Sequence, residues 1–169
     1  MMFICSRDGV HFHRYPEAYW TAGLEDADNW VYGDGFAAYP LIPGEKYDSF
    51  FMCKNTMSVK PKALYRYEVR RDGFACLRAG AKECTVITKP LIFSKGMLHL
   101  NFSTSGFGHI YVQVRSEAGE VLLHSYAVYG DSIDRKVYFT DGDFSDHAGR
   151  PIRLRFKMSD ARLFSLKAE

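Results

Sequence analysis

Met97-Leu-His-Leu-Asn-Phe-Ser103 and His109-Ile-Tyr-Val-Gln-Val-Arg115 each alternate apolar and polar residues one for one. In an extended chain successive side chains point to opposite faces, so period-two patterning marks a strand with one buried face. Leu98, Leu100 and Phe102 fall on one face of the first stretch, and Ile110, Val112 and Val114 on one face of the second. Thr104-Ser-Gly-Phe-Gly108 between them has the composition of a turn and predicts a hairpin. Keeping both apolar sets on one side then fixes the register, since a one-residue slip would turn a strand over. On that reading Phe102 faces Ile110, Leu100 faces Val112, and Leu98 faces Val114. The outer face pairs Ser103 with His109, Asn101 with Tyr111, and His99 with Gln113.

Similar stretches extend in both directions. Glu120–Tyr126, Arg135–Thr140, Ile152–Met158 and Ala161–Leu166 read as strands, the last two separated by a Ser159-Asp160 turn. Thr85–Thr88 is a further short strand. The only helical signal is a single turn at Phe144–Ala148. Many short strands with regular turn signals predict an all-β fold, an antiparallel β-sandwich of jelly-roll or concanavalin-like type over residues 71–169. Residues 1–70 differ in texture. They hold both tryptophans and most of the prolines, and Phe36–Ile42 and Tyr47–Lys54 read as strands around a Pro43-Gly44 turn. Arg-Asp-Gly recurs at positions 7–9 and 71–73, each time between apolar alternations. That is a hairpin signal, at a spacing that suits successive sheets of a propeller.

Composition narrows the function classes. The chain has 169 residues, 47% of them hydrophobic and 15% aromatic, enough for a core without metal or disulfide staples. A net charge of +2, with Lys and Arg interleaved among Asp and Glu, predicts solvated strand faces and no nucleic-acid partner. Cys5, Cys53, Cys76 and Cys84 contain no C-x-x-C pair, which argues against a zinc knuckle and for four free, buried thiols. No apolar run approaches the ~20 residues of a membrane span. The first residues turn charged before a secretory h-region could form, so the expected location is cytoplasmic.

Ser6-Arg-Asp-Gly-Val-His-Phe-His-Arg14, a Trp-containing loop, Gly35-Phe-Ala-Ala-Tyr-Pro40 and Tyr47-Asp-Ser-Phe-Phe-Met52 together resemble the last blade of family-32-like glycoside hydrolases. These are enzymes of the five-bladed propeller clan. Tyr67–Leu77 resembles the strand leaving that propeller. Thr88–Leu91, Leu98–Asn101 and Ala148–Phe156 with Asp160-Ala161 resemble the β-sandwich that follows it. The resemblance implies a propeller-blade-like remnant over 1–70, a C-terminal sandwich over 71–169, and an association with fructosides or other plant glycans. It also implies catalytic carboxylates on blades upstream of anything matched here, so no catalytic residue is carried over. Glycoside hydrolysis needs two carboxyls facing across the scissile bond, and one blade cannot enclose them.

Several groups are candidate sites, each with a plainer reading. Trp20, Trp30 and Tyr32 offer planar rings among polar neighbours, suited to stacking on sugar C–H faces or to packing the segment. His99, Asn101 and Tyr111, with Ser103, His109 and Gln113, form a polar strand face that could bind sugar or stay solvated. His11 and His13 share a strand face with Tyr15 and could hold a metal. Asp141, Asp143 and Asp146 are weak candidates for calcium, without the EF-hand glycine. No Gly-x-Ser-x-Gly elbow is present, and Gly106-x-Gly108 is too short for a phosphate loop.

The leading expectation is a carbohydrate-associated accessory portion of a glycoside-hydrolase-like protein, lacking a complete catalytic site and needing no cofactor. Its alternatives are part of an active glycosidase whose catalytic blades are absent from this chain, or a structural, oligomerising sandwich with no ligand. Expected partners are a glycan and a second copy or propeller domain. Phe36, Tyr39, Phe50, Phe51 and Met52 would form the exposed face for such a partner.

Overall fold

The computed structural model describes residues 1–24, 37–94 and 96–169, which divide into two compact units, Met1–Phe74 and Ala75–Glu169. The division falls beyond the expected boundary at 70/71. Phe74 belongs with the first unit because its ring stacks on Phe3, centroids 5.4 Å apart, and on Tyr19, at 5.8 Å.

In the first unit, β1 (Met2–Ser6) and β2 (Phe12–Ala18) form an antiparallel hairpin. Asp8-Gly9 makes its turn. Gly9 takes the left-handed φ of +74° that glycine tolerates, and the Asp8 carboxylate accepts the backbone N–H groups of Val10 and His11. A separate three-stranded sheet runs β3 (Ala37–Ile42), β4 (Tyr47–Lys54), β5 (Ala63–Arg70). A propeller blade is one four-stranded sheet, whereas these strands group as two and three. The second Arg-Asp-Gly also departs from expectation: Asp72 turns the chain with φ +53°, but among the described residues β5 pairs only with β4. Alternation along β4 buries Met52 completely, so it is no part of an exposed face; Phe50 and Phe51 are half-buried.

The second unit is all-β, antiparallel and sandwich-like, around one apolar cluster. Its frame is two long strands. One is β8 (Leu98–Ser116) and the other β11 (Ile152–Ala168), paired along nearly their whole lengths. β9 (Val121–His124) and β10 (Asp131–Lys136) border β8, while β6 (Leu77–Ala79) and β7 (Cys84–Ile87) border β11. The expected core residues Leu98, Leu100, Phe102, Ile110, Val112, Val114, Leu154 and Phe156 are all buried. Phe144, on a short 3-10 turn over Phe144–His147, stacks on Phe93 at 4.2 Å and closes the cluster.

The hairpin at 104–108 does not form. Phe102 lies opposite Leu163 and Ile110 opposite Met158, so β8 runs straight past the turn-like residues. Those residues make a bulge instead: the ladder steps from His109↔Ser159 to Thr104↔Ala161, leaving Ser105–Gly108 facing Asp160 alone. Ser105 Oγ accepts the N–H groups of Phe107 and Gly108, and Phe107 projects fully into solvent. Gly108 is required by contact: a Cβ there would lie 2.2 Å from the Asp160 carbonyl oxygen. Asp160, at φ +44°, switches the inward parity of β11 from Ile152, Leu154, Phe156 and Met158 to Ala161 and Leu163. The Ser159-Asp160 turn signal was thus a bulge as well.

All four cysteines are free, but their side chains are exposed and not buried as expected. In β4 the inward positions are taken by Met52 and Lys54, which leaves Cys53 outside. No helix among the described residues is long and apolar enough to cross a membrane.

Candidate ligand-binding face

The continuous pairing of β8 with β11 builds a sheet face that a hairpin would not have. Outward residues stand opposite one another as Arg115↔Arg153, Gln113↔Arg155, Tyr111↔Lys157 and His109↔Ser159. Arg155 donates to Gln113 Oε1 at 3.3 Å, Arg153 to the Thr88 carbonyl at 3.3 Å, and Lys157 reaches Glu83 at 3.1 Å. Tyr111 is 40% exposed and meets the His109 ring at a centroid distance of 5.1 Å and 62° between planes. Arg115 and Arg153 are like charges side by side, and the Nε atoms of Arg115 and Arg155 are buried without an acceptor among the described residues. An aromatic ring, an imidazole, an amide and guanidinium groups therefore share one open surface. Such a surface can stack on and hydrogen-bond a flat, polar ligand.

The other half of the expected polar face is dispersed. Asn101 is only 3% exposed, and it sits on the same strand as Tyr111 instead of across a hairpin from it. His99 is engaged in a charge network: its Nδ1 is 2.7 Å from Asp134, and Lys167 Nζ lies 3.3 Å from Asp134 and 2.5 Å from Glu169. Desolvation pushes the Asp134 carboxyl up. Its hydrogen bonds with His99 and Lys167 outweigh that and hold it below the usual carboxylate range. The Glu169 and Asp134 carboxylates hold the Lys167 ammonium above its ordinary value. Ligand atoms of His99, Asp134 and Glu169 lie within 4.8 Å of one another, but Lys167 already supplies the cation between the carboxylates.

Trp20 is half-buried and packs edge-on against Tyr67 at 6.2 Å. The Lys54 ammonium sits over the rings of Tyr65, Tyr67 and Trp20 at 4.7, 5.7 and 5.9 Å, so Trp20 serves its own unit's packing. Trp30 and Tyr32 lie outside the described residues.

The aspartates offered for calcium are separately employed. Asp141 accepts from the His124 ring at 2.8 Å, from the His124 N–H at 3.1 Å and from the Thr140 hydroxyl at 2.8 Å. The His124 and Thr140 bonds keep its carboxyl below the usual range. Asp143 and Asp146 flank and enter the 3-10 turn. No group of three metal-ligating side chains among the described residues includes Asp141, Asp143 or Asp146. The same holds for His11 and His13. His11 is paired with Asp8 at 2.7 Å, which with the backbone N–H bonds drives the Asp8 carboxyl far below its ordinary value, and His13 packs edge-on to Tyr15 at 4.8 Å.

The arginines are the residues that sequence reading passed over. Their alternation with apolar neighbours in Ile152–Met158 was visible, but it read as solvated strand. Only the strand pairing stacks them beside Arg115. Comparison with known protein families, curated proteins and solved structures finds no match to the chain.

Proposed function

We propose that this chain is a non-catalytic carbohydrate-binding unit, the accessory portion of a glycoside-hydrolase-like protein. The observation that carries the reading is the open outward face of β8 and β11, where Tyr111, His109, Gln113 and Arg155 lie side by side on adjoining strands. Sugars offer C–H faces to rings and paired hydroxyls to amides and guanidiniums, and an exposed sheet presents these without enclosing the chain end. The sequence resemblance to family-32-like enzymes points to the same ligand class. A shallow platform encloses little ligand area, so affinities from millimolar to tens of micromolar are expected.

Glycan-array screening followed by calorimetric titration tests this. Tyr111→Ala should abolish binding of the glycan that the parent retains, with the melting temperature nearly unchanged because Tyr111 is exposed. Absence of any glycan signal in the parent overturns the reading, and glycan binding indifferent to Tyr111→Ala removes this face as its site.

A further inference from the structure

Where the β8–β11 ladder opens at the bulge, a groove of about 220 Å³ is lined by Arg78, Arg162, Ser103, Thr104, Ser105 and Asp160, over Ala79 and Ala161. Arg78 and Arg162 are directly opposed on β6 and β11. Neither side chain makes a hydrogen bond or ion pair with another described residue. Like charges facing each other across strands destabilise a sheet, and here no carboxylate separates them. The hydroxyl of Ser103, paired in register with Arg162, is equally unengaged. Ser105 Oγ accepts two backbone N–H groups and so keeps its own proton to donate. Two guanidiniums, two hydroxyl donors and the side chain of Asp160, which has no partner among the described residues, thus belong to residues that line one groove.

We propose that this groove binds a sugar bearing an oxyanion, either a uronate carboxylate or a sulfate ester. The guanidinium fork matches the paired oxygens of such a group bidentately. Asp160 then accepts from ring hydroxyls, which a bare inorganic anion does not possess. The proposal rests on the carbohydrate reading and names its acidic class, but it uses a different set of residues from the Tyr111 face. The mixed charge distinguishes it from a nucleic-acid surface, because a carboxylate beside the guanidiniums repels a phosphate backbone.

Amide chemical-shift titrations with glucuronate, glucose 6-sulfate, glucose, inorganic sulfate and a single-stranded DNA oligomer test it on the full chain. Glucuronate or glucose 6-sulfate should shift amides around 78–80, 103–105 and 160–162, while glucose does not. Comparing those two probes identifies which oxyanion is preferred. Arg78→Gln and Arg162→Gln should each weaken binding about tenfold or more, with no loss in melting temperature because each relieves the like-charge pair. If a neutral glycan binds through Tyr111 and the acidic sugars leave the groove amides unmoved, the groove proposal falls and the carbohydrate reading stands. If inorganic sulfate binds as well as the acidic sugars, or DNA binds better, the sugar assignment is overturned. Should no glycan bind at Tyr111 while the acidic sugars still require both arginines, the platform reading fails and the groove survives.

Discussion

Replacing Gly108 by alanine tests the bulge directly, because the two glycines of the turn-like segment stand in opposite situations. A Cβ on Gly108 would sit 2.2 Å from the Asp160 carbonyl oxygen and 3.0 Å from that of Ser159, whereas one on Gly106 would meet nothing within 4 Å. Neither glycine has a left-handed φ, so the difference is steric contact alone. An ordinary carbon contact is roughly 3.5 Å, so β8 and β11 would have to part by about 1 Å or more at their crossing. The obstacle is backbone and cannot rotate away. Overpacking of this kind costs ~1–3 kcal/mol, and a rigid neighbour places Gly108→Ala at the upper end. Gly106→Ala should stay within about 1 kcal/mol of the parent, and on the stabilising side, by restricting the unfolded chain. Urea unfolding followed by far-UV circular dichroism reads both. With a slope of roughly 1–3 kcal/mol/M, the Gly108 variant should lose on the order of 1 M in its midpoint while the Gly106 variant barely moves. A hairpin centred on this segment would reverse the ranking, since Gly106 would then occupy the tip. Equal or greater sensitivity at Gly106 refutes the continuous strand.

Two further outcomes follow from packing and charge. Phe156 is buried between Val112 and Val86 on its neighbouring strands, so Phe156→Ala should cost about 3–5 kcal/mol by the same urea assay; a loss below ~1 kcal/mol would contradict its burial. Asp134, its carboxyl held below the ordinary range by His99 and Lys167, adds stability that is present above that range and drains away as pH falls through it. Asp134→Asn should therefore flatten the fall in melting temperature between about pH 5 and pH 3, and an unchanged acid limb would show that the network contributes nothing to folding.

What could be read from the sequence followed from periodicity, and what could not followed from a local ambiguity. The inward set of β8 and β11 was legible because alternation specifies a face regardless of which strand lies opposite. The partner of each strand was not. Thr104–Gly108 and Ser159-Asp160 have turn composition, and the same residues suit a bulge: glycine where a backbone crosses closely, and aspartate where φ turns positive. Local sequence does not distinguish a chain that reverses from one that swells and continues. That single ambiguity displaced Asn101 from Tyr111 and concealed Arg115 beside Arg153. Which of its two readings Trp20 follows was not legible either. Its ring packs against Tyr67 and shares the Lys54 ammonium with Tyr65 and Tyr67, residues far along the chain that only the fold brings together.

The placement of cations in the second unit bears on function more than any one contact. Some cations of this unit are paired: Lys157 with Glu83, Lys167 with Asp134 and Glu169. At two places on the outward side of the sheet like charges are opposed instead, Arg115 against Arg153 on one side of the bulge and Arg162 against Arg78 on the other. Each opposed pair costs a few tenths to 1 kcal/mol relative to a neutral one, and none of these four guanidiniums has a carboxylate partner among the described residues. Acidic residues are not scarce, with 20 Asp and Glu against 22 Lys and Arg. A sheet shaped by folding stability alone would place one of them at each of these positions. Local rules broken without a compensating contact concentrate at functional sites. Both breaks occur on the outward side, flanking the bulge at Asp160, and both leave guanidinium donors open to an external acceptor.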